Sequence, residues 1–469
     1  RALLSNTSGG ANVGIGLDAL KSNTTASNNT AVGYEALTAN TGQYNSALGY
    51  QALWANTTGV DNSAFGRSAL ALNTTGSENN AFGYTALYAN TTGNYNVALG
   101  KEALRFNTTA NNNTAVGYQA LYDNTIGAQN TSVGFRSLFN NTTASNNTAL
   151  GQDALYTNTT GANNVALGHS ALVSNTTANN NIAVGYQSLY SNTTGTQNTS
   201  LGNFSGYRLT TGSYNTAVGY NSGYTTTGSY NTSVGNSALQ SNTTASNNTA
   251  VGYQSLYSNT TGVDNTAVGD IALRGNTTGG NNVAVGRYAG HSGATSNDGV
   301  FVGAQAGFNV TGDNNTAVGY QAINNGVCTG ANNTAVGYKA GYNNTTGIHN
   351  TLIGANAGDA LTEGDTNVAV GSSALTSDTK GSKNTAVGHS ALEAQNFTTS
   401  TMSYNTAIGS DSGKAITTGI RNTIIGSSAG DALTTASATT AIGQNALSSC
   451  TTASNNVAVG QDSLFTLTT

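Results

Sequence analysis

The chain has 469 residues, among them 60 glycines and no proline, and a formal net charge of −5. Charged residues make up 7% of it, which leaves no basic stripe to hold nucleic acid and no polybasic segment to meet a membrane surface. No apolar run approaches the roughly 18 residues of a membrane span, and no charged-then-apolar leader stands at the start.

A five-residue core, Asn29-Thr30-Ala31-Val32-Gly33, recurs along the chain. Its last glycine marks the phase at Gly16, Gly33, Gly49, Gly66, Gly83 and Gly100, and the series runs on to Gly460, 27 marks in all. Of the 26 intervals between them, 21 are 17 residues long; the rest are 16 (three times), 18 and 21. The excess of Gly, Asn and Thr would suit a disordered tract, but apolar positions locked to a period require order. A repeat this short in a chain this long predicts a solenoid with one coil per repeat. The expected fold class is all-β: a parallel β-solenoid, or β-roll, of about 27 coils without helices, forming one continuous array over 1–469. At ~4.8 Å per coil the array would rise roughly 125 Å. The chain opens mid-repeat at Arg1 and stops a few residues past Gly460, so it reads as a window from a longer protein.

Over 1–202 the coils are regular. A small residue follows the phase glycine by three places and Leu by four, as at Ala36 and Leu37, and then comes Asn-Thr-Thr-Gly, as at Asn56 to Gly59. Thr30 to Val32 carries the β-branched alternation of a short strand, and Tyr34 to Leu37 predicts a second one. Asn-Thr-Thr-Gly supplies turn chemistry, so each coil is expected to hold two strands and two turns. Over 203–232 two coils change to Ser205-Gly206-Tyr207 and Ser222-Gly223-Tyr224, and the regular pattern returns over 233–285. Over 286–469 a glycine often takes the Leu place (Gly290, Gly307, Gly341, Gly358, Gly413, Gly430) and the second asparagine is mostly lost, which suggests a thinner coil. The long interval from Gly388 to Gly409 holds Glu393 to Phe397 and needs a looped-out bulge of about four residues.

The asparagine four places before the phase glycine occurs in 25 of 27 coils, beginning with Asn12, Asn29, Asn45, Asn62, Asn79, Asn96, Asn113, Asn130, Asn147 and Asn164. Stacked coils bring such amides one strand spacing apart, where they form a ladder. A second, partial ladder runs through Asn23, Asn40, Asn56, Asn73 and Asn90. Both read as structural corners rather than ligand or glycan sites, because they repeat in phase with the backbone. Sequons such as Asn23 with Thr25 or Asn56 with Thr58 arise automatically in any chain repeating Asn-Thr-Thr. The tyrosine after the phase glycine (Tyr34, Tyr50, Tyr84, Tyr118, Tyr186, Tyr253) would serve either as a binding strip for sugars or bases or as a cross-coil stack. Lys, Arg, His and Ser share its place, which favours the stack.

No catalytic, cofactor-binding or metal-ligating residues emerge. His169, His291, His349 and His389 lie on coils without a shared acidic or thiol partner, and the acids are dispersed, with Asp18, Asp153 and Asp462 beside the expected second strand and Asp61, Asp264, Asp298 and Asp313 in turns. Cys328 and Cys450 stand about seven coils apart, roughly 34 Å and far beyond disulfide reach. The glycines make neither a phosphate loop nor a calcium repeat. The chain is read as a non-enzyme with no cofactor.

The core with a small residue three places on, as in Asn96-Val97-Ala98-Leu99-Gly100 and Ala103, resembles the YadA-like head repeat of trimeric autotransporter adhesins. It is also similar to repeat shafts of bacteriophage tail fibres and related bacterial surface fibres. The resemblance spans essentially the whole chain, although the period of 17 is longer than the usual head coil. It implies a left-handed parallel β-roll, three chains around one axis, and attachment outside the cell. The expected role is therefore the structural or adhesive shaft or head of an extracellular or cell-surface fibre, with a virion tail fibre as one alternative. An ice- or lattice-binding solenoid is another, since ranked threonines would form an array, but Val97, Val165, Ile182, Ser46 and Ser63 interrupt it.

Strand alternation also sets a partner. Thr30 and Val32 share one face and Ala31 takes the other. Two small-residue ladders, at Ala31 and Ala36, suit the inside of a flat roll, which leaves Val32, Leu48, Phe65, Phe82 and Leu99 outward as an apolar stripe. Such a stripe calls for self-association, as a homotrimer or by lateral or end-to-end packing of rods. The alternative encloses Val32 and Leu37 within a fatter single-chain coil and puts the alanines outside. A host or surface receptor is left open; neither nucleic acid nor membrane contact is expected.

Overall fold

A computed structural model describes residues 1–467. They belong to two compact units, Arg1–Asn231 and the residues from Thr232 onward, and the same coil builds both. Each coil gives one three-residue strand that pairs in parallel with the next: Thr30 lies opposite Ser46, Ala31 opposite Ala47 and Val32 opposite Leu48. Among the described residues the first unit has thirteen such strands, the second fourteen plus one short extra pair, and neither has a helix. The fold is the parallel β-solenoid that the 17-residue period predicts.

Tyr34 to Leu37 does not form the expected second strand. Glu35 and Leu37 have left-handed backbone, with φ of 54° and 51°. The Glu35 N–H donates back to Leu17 O at 2.8 Å, while the Leu37 N–H donates forward to Ala52 O at 3.1 Å. A pleated strand would send Ala36 and Leu37 to opposite faces; the left-handed turns bring both inward, and both are fully buried. A left-handed L-residue costs about 1–2 kcal/mol, which burial of the leucine side chain, about 1.5–3 kcal/mol, offsets. The coil is thus one strand and a run of turns whose amides still bond to the coils on either side, a backbone in which proline has no place.

The phase glycine is fixed by close approach. Gly33 has φ of 140°, and a Cβ there would stand 2.7 Å from the carbonyl carbon of Gly49, with the carbonyl oxygen closer still. Backbone on backbone leaves room for hydrogen only.

The interior holds Ala31, Ala36 and Leu37 and their counterparts, buried in all but the terminal coils. The glycine-rich coils are not emptied. At Gly358 a Cβ would meet Leu352 Cδ2 at 2.8 Å and Leu361 Cδ1 at 2.9 Å; at Gly413 it would meet Ile416 Cδ1 at 2.9 Å; at Gly430, Leu433 Cδ1 at 2.7 Å. Leu361, Ile416 and Leu433 occupy the place of the second asparagine, and Leu352 the strand-centre place that is usually Ala. At Gly358, Gly413 and Gly430 the losses of Leu and of Asn therefore go together, and the core volume is supplied from other positions. Near Gly290 and Gly307 the buried Phe301 does the same.

The long interval does carry a bulge, with Asn396 and residues 398–400 exposed. Its base is tied to the second-ladder place of the preceding coil, which is Asp378. The carboxylate accepts from Gly381 N at 3.0 Å and Phe397 N at 3.1 Å through Oδ1, and from Gln395 Nε2 at 2.6 Å through Oδ2. Burial pushes the Asp378 carboxyl above the usual carboxylate range, against these hydrogen bonds.

Candidate interaction surface

The two asparagine series do different work and meet on one atom. In the first, the backbone N–H of Asn45 donates to Asn29 Oδ1 at 2.9 Å, and Asn45 Nδ2 donates to Gly59 O in the next coil at 2.8 Å. The same links join Asn12, Asn29, Asn62, Asn79, Asn96, Asn113, Asn130, Asn147 and Asn164 to their neighbours. All but the half-buried Asn12 are fully enclosed. This series bridges side chain to backbone, with amide-to-amide contacts in some coils only, such as Asn62 to Asn45 at 3.1 Å. The second series is the amide ladder proper. Asn56 donates to Asn40 at 2.7 Å, Asn73 to Asn56 at 2.7 Å and Asn90 to Asn73 at 2.8 Å, and the run continues to Asn192. Asn56 Nδ2 also reaches Gly59 O at 3.0 Å, so that carbonyl accepts from both series. With both amide hydrogens engaged and the side chain enclosed, Asn56 offers nothing to a glycan. This run stops at Asn192, whose Oδ1 is buried without a partner where the next coil carries Leu209, and the second unit has a run of its own, with Asn259 donating to Asn242 and Asn276 to Asn259 at 2.9 Å each.

The strand face points outward. Leu48 and Leu99 are each 48% exposed and Phe82 37%, while Val32 and Phe65 are half-buried. Phe65 and Phe82 stack at 4.8 Å. The alanines of the same strands are enclosed, and so is Leu37; the fatter coil with Val32 inside and alanines outside is thereby ruled out for both units. The first strand place is Thr30, Ser46, Ser63, Asn80 and Val97 in successive coils, so no unbroken threonine file forms there.

Beside this face runs the column after the phase glycine. Tyr34 and Tyr50 stack at 5.1 Å and 7°; Arg67 Cζ lies 5.7 Å from both the Tyr50 and Tyr84 rings; Lys101 Nζ lies 5.9 Å from Tyr84 and 5.5 Å from Tyr118; Tyr118 stacks on Phe135 at 5.3 Å. Cations fit the series because each sits over a ring face. Where rings stand on adjacent coils, as at Tyr34 and Tyr50, they cover one another's faces. A second column, five places after the glycine, escaped sequence reading: Tyr122, Phe139 and Tyr156 stack at 4.9 and 5.3 Å, and Tyr190, Tyr207 and Tyr224 at 5.1 Å each. Its signal was the recurrence of Tyr directly after Leu, as in Leu121-Tyr122 and Leu155-Tyr156.

Among the described residues no group of three or more His, Cys, Asp or Glu side chains is placed to hold a metal, and no helix is long and apolar enough to cross a membrane. His169 stacks on Tyr186 and His291 on Phe308, so these two histidines belong to the ring columns. Cys328 and Cys450 are buried free thiols, and burial pushes Cys328 up to about 11. Comparison with known proteins finds no family model that matches the chain and no similar curated protein.

Proposed function

We propose that the chain is a non-enzymatic, self-associating shaft or head of an extracellular fibre, packed as a homotrimer through its strand faces. One observation carries this reading: in each unit the strand face presents its larger apolar residues outward, coil after coil, while the small ones fill the inside. Covering each outward residue is worth about 1.5–3 kcal/mol, a sum that grows with every coil. Closed three-fold packing covers such a stripe without leaving an open edge. The likeness of the core repeat to YadA-like heads and tail-fibre shafts supports a fibre role, on a cell or on a virion.

Replacing Leu48, Leu99 and Leu150 with Asp tests the reading. These leucines are each 48% exposed, so the coil itself tolerates the change, and self-association at micromolar concentration is expected to disappear. An oligomer that survives the triple change contradicts it. The lattice-binding alternative rests on the regular spacing of the outward strand places, and strong thermal hysteresis from the wild-type chain would favour it instead.

A further inference from the structure

The chain carries three sulfur atoms, in Cys328, Cys450 and Met402. Both thiols are enclosed, at 1% and 0% exposure, so neither meets a reagent in water, and burial pushes Cys328 up to about 11 besides. Met402 is 60% exposed. Its exposure follows from the bulge. Three places before the first-series asparagine other coils enclose a small residue, as at Gly59 and Ala110, and Gly381 holds that place before Asn384. Across the bulge the register slips by one residue: Gly381 pairs with Thr401, and Met402 with Ser382. Met402, three places before Asn405, is thereby moved off the enclosed place, and Ser403 is the residue buried beside it. A tyrosine hydroxyl meets the sulfur. Lys383 Nζ donates to Tyr404 Oη at 3.2 Å; an ammonium can only donate, so the hydroxyl accepts from it and keeps its own hydrogen for Met402 Sδ, at 3.5 Å. Lys383 Nζ also lies 5.1 Å from the Tyr404 ring centroid, so two contacts with the neighbouring coil hold the tyrosine in place.

We infer that Met402 is an oxidation site at which a hydroperoxide delivers one oxygen to a single side of the sulfur. A sulfur lone pair attacks the terminal peroxide oxygen, an S–O bond forms and the O–O bond breaks. The proton on the attacked oxygen passes to the departing one, which leaves as water from hydrogen peroxide or as an alcohol from an organic hydroperoxide. The sulfur gives up two electrons to the peroxide, and Met402 becomes its sulfoxide. A thioether sulfur has two lone pairs, and attack through one or the other gives opposite sulfoxide epimers. The Tyr404 hydroxyl occupies one of them, so oxygen adds through the other. Because Met402 stands outside the packed interior, the polar product leaves the coil intact, and it is open to reduction back to the thioether. The site lies within the second unit and goes beyond the fibre reading, since it stands whether or not the strand faces associate.

The test treats the full chain with hydrogen peroxide at neutral pH and follows its intact mass. Digestion then frees the Met402 peptide, whose two epimers are separated by chromatography and assigned with epimer-specific methionine sulfoxide reductases. One oxygen is expected at Met402, with both thiols still open to alkylation once the chain is unfolded. One epimer should exceed the other about threefold or more, and Tyr404→Phe, which keeps the ring and removes the O–H, should bring the two near equality. Should Tyr404→Phe alter the melting profile, Lys383→Ala decides: without that donor the hydroxyl is free to turn from the sulfur, so a smaller excess supports the site and an unchanged one overturns it. Absence of oxygen uptake, oxidation of the cysteines ahead of Met402, equal epimers from the wild type, or the same excess in a folded Tyr404→Phe also overturns it.

Discussion

Ile416 fills the space that Gly413 leaves: a Cβ on the glycine would stand 2.9 Å from the isoleucine Cδ1. In the regular coil the same two places are Leu and Asn, as at Leu37 and Asn40, and both are buried. The pair therefore trades one way of filling the coil for another.

This exchange predicts coupling. Gly413→Leu alone overfills the coil, and Ile416→Asn alone empties it, each at about 1–3 kcal/mol. The double variant restores the regular pattern and should recover at least half of the summed loss in urea unfolding. Simple additivity would contradict the exchange.

The amide ladder predicts an asymmetry between two small changes. Asn73 donates to Asn56 and Gly76 and accepts from Asn90. Asn73→Ala leaves buried partners unpaired, a loss of about 1–3 kcal/mol. Asn73→Asp removes both donors and places a charge in the enclosed corner, so its loss should be larger at pH 7 than at pH 4. Equal melting of the two variants at pH 7 would argue that the ladder is not a continuous buried chain.

Asp378 predicts a pH dependence opposite to the common one. Its carboxyl is raised by burial, so the folded chain holds the proton more tightly than the unfolded chain does. The stability it contributes is present at low pH and is lost as pH rises from the ordinary carboxylate range through the raised folded value. Asp123, Asp359 and Asp431 are raised too, by burial, and Asp18 and Asp411 are lowered, chiefly by hydrogen bonds to Lys21 and Lys414. The difference between wild type and Asp378→Asn therefore isolates the one group. Melting curves from pH 4 to 7 should show wild type losing ground relative to the variant; a constant difference contradicts the assignment.

The period and the strand were legible because both are local: Asn29 to Gly33 names its own strand, and the glycine spacing names the stack. Tyr34 to Leu37 misled because apolar alternation cannot tell a pleated strand from alternating left-handed turns, and only the shared burial of Ala36 and Leu37 separates them. The glycine at the Leu place was a clue to that backbone, since φ there is 55° at Gly358 and 56° at Gly413. The compensation by Leu361 and Ile416 was hidden for a different reason. It links places three residues apart within a coil to side chains of the strand, and sequence spacing alone does not say which of them share a space.

The most direct measurement on the proposed fibre role is the mass of the full chain in solution, by sedimentation equilibrium at micromolar concentration. The outward stripe of Val32, Leu48, Phe65, Phe82 and Leu99 predicts a single species of three times the 47.1 kDa chain mass. A chain that sediments as a monomer over the whole concentration range, with the stripe left in water, contradicts it.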